Sequence, residues 1–428
     1  MNLLPLLILA ICFIAGVPIA FSMIICIIPY FIADPHMAST VIIQRVVSSA
    51  DSTTLMAVPF FIIAGTIMEY SGITTRLLNF AETLVGHFTG GLGHVNIVLS
   101  TLMGGISGSG AADAAMESKL LVPEMVKRGY SKAYSGAITA ASACITPIIP
   151  PGVGLVIFAV VAEVSVGKLF AAGYVPGVLM CIGMMALNAI TAKKRGYKAS
   201  RTKKASLKEV LSTFSEAIWA LFLPFGLILG LRFGAFTATE GGALMAAYSI
   251  FVGKFIHKDL KLRDLPKIMM EAVYSIGTVM LMLCAANIFS YYLSWERIPQ
   301  AVTAWLVSFT ANKYLFLLMV NILMLLLGMF LDVLACMIIV VPLIAPILPV
   351  LGIDLIHFGI MIVLNVAIGA ITPPFGTYIF LVGGTIKEKT ENLVKELWPF
   401  IGVCLLVLLL ITYIPELVLF LPRIIYGG

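Results

Sequence analysis

Long continuous apolar runs dominate the chain, near 3–29, 54–70, 91–106, 110–126, 133–162, 168–191, 213–233, 237–256, 268–294, 313–331, 333–350, 355–386 and 397–421. Apolar positions inside them do not alternate with polar ones, so the pattern predicts helices apolar all round rather than barrel strands. About 20 apolar residues span a bilayer core as a helix, which gives room for about ten to twelve membrane-embedded segments. The first run starts at the N-terminus without a basic flank, which predicts a retained embedded helix rather than a signal peptide, and no sizeable soluble domain is expected. Two mixed stretches, Asp34 to Ser52 and Thr74 to His87, predict amphipathic helices lying at the interface.

Polar breaks inside the apolar runs occur in two matching sets. In the first half, Gly104-Gly105-Ile106-Ser107-Gly108-Ser109-Gly110 leads to a segment containing Val122-Pro123, and a later run is broken at Thr146-Pro147 and Pro150-Pro151. In the second half, Gly328-Met329-Phe330-Leu331-Asp332 leads to Val341-Pro342, and a later run is broken at Thr372-Pro373-Pro374. One such break is an ordinary kink. Two sets in the same order make an internal repeat. The expected organisation is a first repeat over 1–192, a basic cytoplasmic linker over 193–212 and a second repeat over 213–428. Hairpin 1 is placed at about 91–127 and its broken helix at about 133–162; hairpin 2 at about 313–350 and its broken helix at about 355–386.

Charge changes this picture by adding orientation. Lys119, Lys127, Arg128 and Lys132 follow the first break, whereas the stretch from Val333 to Ile386 holds no Lys or Arg. Cytoplasmic loops carry the excess of basic residues, so the two copies are expected to be inverted. Inverted repeats with broken helices are how many secondary transporters are built, with the site at the repeat interface. The expected fold class is therefore an all-α polytopic membrane protein of two inverted repeats, each with a re-entrant hairpin and a broken helix. Composition agrees: 61% of the 428 residues are hydrophobic and 11% charged, with mean hydropathy +1.07. The net charge of +6 lies in short loops, as topology requires, and does not point to nucleic acid. The seven cysteines and five histidines show no metal-like spacing, and no nucleotide-binding motif is present.

The breaks carry the candidate chemistry. Carbonyls and hydroxyls at a re-entrant turn are hard oxygen ligands for a small cation, and the N-terminus of the returning helix favours an anion. The first cation site is assigned to Ser107, Gly108, Ser109, Thr146 and Gly152, and the second to Gly328, Asp332, Thr372, Pro373 and Gly376. Substrate contacts are assigned to Asp113, Ser109, Pro150, Asn365 and Thr377. An intramembrane carboxylate such as Asp332 is a functional candidate by default, with a helix cap as the plain alternative. Glu69, Glu163, Arg232, Glu240 and Glu271 read as interfacial or helix-pairing charges.

Several motifs resemble the large membrane subunit of the tripartite ATP-independent periplasmic (TRAP) transporters. They are Gly105 to Ser109 running on to Val122-Pro123-Glu124-Met125-Val126-Lys127-Arg128-Gly129-Tyr130, then Ile149-Pro150-Pro151, Arg232 to Glu240, Gly328 to Asp332, and Asn365 to Gly369 through Thr372-Pro373-Pro374. The resemblance covers essentially the whole chain. It implies a bacterial inner-membrane symporter that uses sodium as coupling ion, needs no other cofactor and works by an elevator motion. It also implies two partners, a small four-helix membrane subunit as a separate chain and a periplasmic substrate-binding protein. The implied substrate is a carboxylate such as sialic acid or a C4-dicarboxylate. The tip sequence Ser109-Gly110-Ala111-Ala112-Asp113-Ala114-Ala115 departs from the pattern associated with C4-dicarboxylates and leans toward a larger hydroxylated acid. Three rival readings remain open: a stand-alone sodium/organic-anion symporter, an intramembrane enzyme pairing Asp113 with Asp332, and a passive channel.

Overall fold

The structure, a computed structural model, describes residues 3–33, 40–51, 55–301 and 312–427, and it is α-helical with no strand among them. The first apolar run forms two helices instead of the single one expected, α1 (Leu4–Ile14) and α2 (Ile19–Ala33), which pack on one another. They part at Gly16, whose φ is +75°, and at Pro18, which has no N–H to extend a helix. The mixed stretch after them contains α3 (Thr40–Ala50), while residues 34–39 and Ser52 of that expected interfacial segment lie outside the described residues. Next come α4 (Ala57–Tyr70) and α5 (Ile73–Val85), which meet at 69°. The bend sits at Gly72 with φ +72°, and α5 buries Ile73, Leu77, Phe80 and Ala81 along one side, as an amphipathic helix should.

Hairpin 1 consists of α6 (Gly91–Met103), α7 (Gly110–Leu120) and the short α8 (Val122–Lys127). The broken helix that follows is α9 (Lys132–Ser142), one 3₁₀ turn at Thr146–Ile148 and α10 (Val153–Val161). Then α11 (Val166–Arg195), α12 (Leu207–Arg232), α13 (Ala238–Phe251) and α14 (Leu265–Trp295) complete the middle of the chain. Hairpin 2 is α15 (Lys313–Gly328) and α16 (Val333–Ile344). Its broken helix is α17 (Leu355–Gly369) and α18 (Thr377–Ile386), and α19 (Thr390–Tyr413) and α20 (Glu416–Tyr426) close the chain. Starts are marked by side chains that accept orphan backbone N–H groups. Ser131, Ser165 and Ser206 cap α9, α11 and α12, Asp354 caps α17, and Thr237 with Glu240 makes a capping box on α13.

By length and composition, α11, α12, α14 and α19 can each cross a membrane, and the bent pairs α4–α5 and α9–α10 are each apolar and long enough for one broken span or a re-entrant loop. Two packing groups emerge. In one, α13 lies along α4 so closely that a Cβ on Gly242 would stand 2.9 Å from Phe60 Cβ, and α14 packs on α2, α3 and α4. In the other, the hairpins and broken helices pack among α11, α19 and α20. Buried amides cross-link the second group. Asn96 donates to Thr139 (2.8 Å) and accepts from Ser142 (2.9 Å), and Asn365 donates to Asn321 Oδ1 (2.7 Å), which donates onward to Thr412 (3.0 Å). Each such interhelical bond contributes about 0.6 kcal/mol inside a membrane, enough in sum to fix register.

The basic linker is stitched to the base of hairpin 1. Ser200 N–H donates to the Gly86 carbonyl at 2.9 Å, Arg128 donates to the Ser200 carbonyl at 2.9 Å, and the Tyr197 ring stacks on Tyr130 at 4.2 Å. Arg195 pairs with Glu396 at 2.8 Å.

Candidate functional site

Each hairpin tip rests on the broken helix of its own half, and glycine makes both contacts. Gly108 has φ +58°, and a Cβ there would lie 2.8 Å from the Pro151 carbonyl oxygen and 2.9 Å from Gly152 Cα. Gly328 meets the second break in the same way, with a Cβ falling 2.8 Å from the Val366 carbonyl oxygen and 3.1 Å from Gly369 Cα. A side chain at either position would force backbone from backbone, so the contact admits only glycine. Pro150–Pro151 and Pro373–Pro374 are cis peptide bonds at corresponding places in the two breaks.

The returning helices then exchange partners across the halves. Helix α7 packs on α18, with Gly110 against the Tyr378 ring, and α10 packs on α16, with Gly154 against Val333. Four helix N-termini are thereby brought together, those of α7, α10, α16 and α18. Their cap residues are Ser109, Gly152, Asp332 and Gly376. Ser109 Oγ accepts the Ala112 N–H at 3.4 Å, and Asp332 Oδ1 accepts the Ala335 N–H at 2.8 Å. Each N-terminus carries roughly half a positive charge and unsatisfied N–H groups, a setting that favours an anion.

These ends open on a 460 Å³ cavity whose far wall comes from α4 and α14. Ser107, Gly108, Ser109, Asp332 and Thr377 line the near wall; Thr66, Glu69, Glu271 and Ser275 line the far one. The assigned residues therefore fall into three sets. Ser107, Gly108, Ser109, Asp332 and Thr377 face the cavity. Thr146, Gly152, Gly328, Thr372, Pro373, Gly376 and Pro150 belong to the breaks and their contacts behind it. Asp113 and Asn365 are turned elsewhere. Asp113 is 1% exposed, accepts from Thr146 Oγ1 at 2.8 Å and borders a separate 220 Å³ cavity that it shares with Ser107 and Glu69. Asn365 is fully buried in the amide chain to Asn321. The Thr146 hydroxyl also lies 3.2 Å from the Ser100 carbonyl, which competes with Asp113 for its one proton, while Thr372, in the break, donates to the Ile368 carbonyl in the last turn of α17 at 2.7 Å.

Glu69 and Glu271 read from the sequence as interfacial or helix-pairing charges, and nothing in the sequence singles out Thr66, Ser275 or Tyr378. The one available signal was a carboxylate within or beside an apolar run; which way it faces depends on packing. Glu69 lines the 460 Å³ cavity, the 220 Å³ cavity and a third, of 510 Å³, that reaches the Arg76–Asp259 ion pair. Also unforeseen is Glu117, fully buried one turn beyond Asp113, with neither carboxylate oxygen hydrogen-bonded among the described residues.

Paired hairpins and broken helices around a central cavity that holds three carboxylates define an all-helical membrane transporter fold. A crystal structure of the Alcanivorax borkumensis YdaH transporter shares it, with TM-score 0.64, 16% identity and 86% of each chain covered. The chain belongs to the DctM component family of the tripartite ATP-independent periplasmic transporters, whose model matches residues 6–417. It is 40% identical to the sialic acid TRAP transporter permease protein SiaT of Haemophilus influenzae, over 96% of this chain and 66% of that protein. It is 37% identical to the sialic acid TRAP transporter large permease protein SiaM of Vibrio cholerae, over 96% of each. The chain thus spans just under two thirds of the length of the first relative and nearly all of the second.

Proposed function

We propose that this chain is the carrier subunit of a sodium-driven importer of organic acids in a bacterial inner membrane. A periplasmic binding protein delivers the acid, and a small four-helix membrane subunit completes the permease. The two halves act as inverted repeats. Sodium is held where each hairpin tip meets a break, by oxygens of Ser107, Gly108, Ser109, Thr146 and Gly152 on one side and of Gly328, Asp332, Thr372, Pro373 and Gly376 on the other. The substrate carboxylate docks against the helix N-termini beside Ser109 and Thr377. Motion of the hairpin group against the α4–α14 wall, elevator fashion, moves the loaded site.

The observation that supports this reading most is the convergence of four helix N-termini, two from each half, on one 460 Å³ cavity. Backbone away from regular helix is tolerated at membrane depth where it lines such a cavity, and broken helices aim N-terminal dipoles at anions there. Relatives named for sialic acid support a carboxylate as cargo. The deciding experiment is uptake of labelled acid into proteoliposomes, with the sodium gradient and the binding protein varied independently. Uptake needing both is expected. Uptake that ignores the sodium gradient overturns the coupling, and uptake without the binding protein favours a stand-alone symporter.

A further inference from the structure

The cavity is lopsided in charge. Three carboxylates line it, Glu69, Glu271 and Asp332, and none of its lining residues is Lys, Arg or His. Asp332 caps α16 through Oδ1 on the hairpin side. Glu69 and Glu271 stand on the opposite wall, on α4 and α14, facing the helix N-termini across the cavity. Glu271 accepts from Tyr70 at 2.7 Å, and Lys267 approaches it only to 3.9 Å with its own side chain 71% exposed, so that pair is solvent-screened and weak. The Glu69 side chain makes no hydrogen bond or ion pair among the described residues.

Resting on the reading of this cavity as the substrate site, we propose that Glu69 and Glu271 set its specificity: it takes a monocarboxylate whose remaining groups donate hydrogen bonds, hydroxyls or amides, and rejects dicarboxylates. A single carboxylate lies against the positive helix ends, leaving the rest of the molecule to meet Glu69, Glu271, Thr66 and Ser275. A hydroxyl or amide N–H there donates a charge-assisted hydrogen bond, about twice as strong as a neutral one. A second carboxylate meets two like charges with no basic residue to absorb it, and such juxtapositions reject ligands effectively. Glu69 also borders two further cavities, and the 510 Å³ one reaches the Arg76–Asp259 pair, so an acid leaving that way passes Glu69.

The test uses the purified full chain in sodium buffer, with thermal-shift titration of gluconate, N-acetylneuraminate and succinate. Both hydroxylated monocarboxylates are expected to bind at least about 10-fold more tightly than succinate, a difference of about 1.4 kcal/mol. In Glu69→Gln/Glu271→Gln the succinate disadvantage is expected to shrink to about 3-fold or less while the hydroxylated acids weaken, as charge-assisted bonds become neutral ones. Glutamine keeps an acceptor for Tyr70, and Glu69→Gln alone serves if the double variant does not fold. Succinate binding the wild-type chain as tightly as gluconate overturns the specificity and leaves the carrier reading intact. Binding of none of the three acids, with sodium or without, overturns the site reading itself.

Discussion

The two hairpin tips meet their broken helices through the same glycine contact but place their carboxylates differently. In the first half the returning helix is capped by a neutral hydroxyl, Ser109, at 3.4 Å, and the carboxylate, Asp113, sits a turn further in and binds Thr146. In the second half the carboxylate is the cap itself, Asp332 at 2.8 Å from the Ala335 N–H. A capping carboxylate cancels part of the positive end of its helix, whereas a neutral cap leaves it exposed. On the proposed reading, the neutral cap suits the first-half tip to an anion and the negative cap suits the second-half tip to a cation. Equal folds at the two tips thus need not mean equal roles.

The contrast can be broken or sharpened in graded steps. The largest effect is expected from Gly108→Ala, which strains a φ of +58° and drives a Cβ to 2.8 Å from the Pro151 oxygen. Strain of this kind costs roughly 1–3 kcal/mol, and loss of sodium-dependent uptake should accompany a lowered melting temperature. Gly328→Ala should be as damaging, because backbone opposes it equally; a harmless substitution at either place would show that the tips do not bear on the breaks.

Removing the Asp332 charge separates its two roles. Asp332→Asn retains a cap, so stability should hold within about 0.5 kcal/mol, yet half-maximal uptake should need about 10-fold more sodium, the loss of one charged ligand being worth about 1.4 kcal/mol. Ser109→Ala should do the opposite, costing about 1 kcal/mol of stability with the sodium dependence changed less. An unaltered sodium dependence in Asp332→Asn would remove Asp332 from the cation site.

Thr146→Val leaves Asp113 Oδ2 without its 2.8 Å donor, and a buried acceptor stripped of its partner costs about 1–3 kcal/mol. Thr372→Val is expected to be the mildest change, about 0.5 kcal/mol or less, because among the described residues its hydroxyl bonds only to the Ile368 carbonyl, one turn back at the end of α17. Chemical denaturation of both variants checks the order, and a larger loss at Thr372 would mean that its hydroxyl does more than that bond.

Much of the architecture could be read from the chain. Helices α7, α10, α16 and α18 start at Gly110, Val153, Val333 and Thr377, within a few residues of where glycine, serine and proline interrupt the apolar runs. Those interruptions are local, and local chemistry decides where a helix cannot continue. The first apolar run reads as one helix but forms two, because hydropathy stays high through Gly16 to Pro18 while the backbone turns.

The sequence by itself determined that this is a membrane protein of helices and where glycine, serine and proline break its apolar runs in two matching sets, the break at Gly16–Pro18 excepted. Composition and local backbone chemistry suffice for that, since neither depends on what lies across the molecule. Only the tertiary structure decided which N-termini share a cavity, that Asp113 turns to Thr146 and Asn365 to Asn321, and that Glu69 and Glu271 face the helix ends. A side chain's direction is set by the helix it packs against, and such partners can stand far away along the chain, as Gly110 and Tyr378 do.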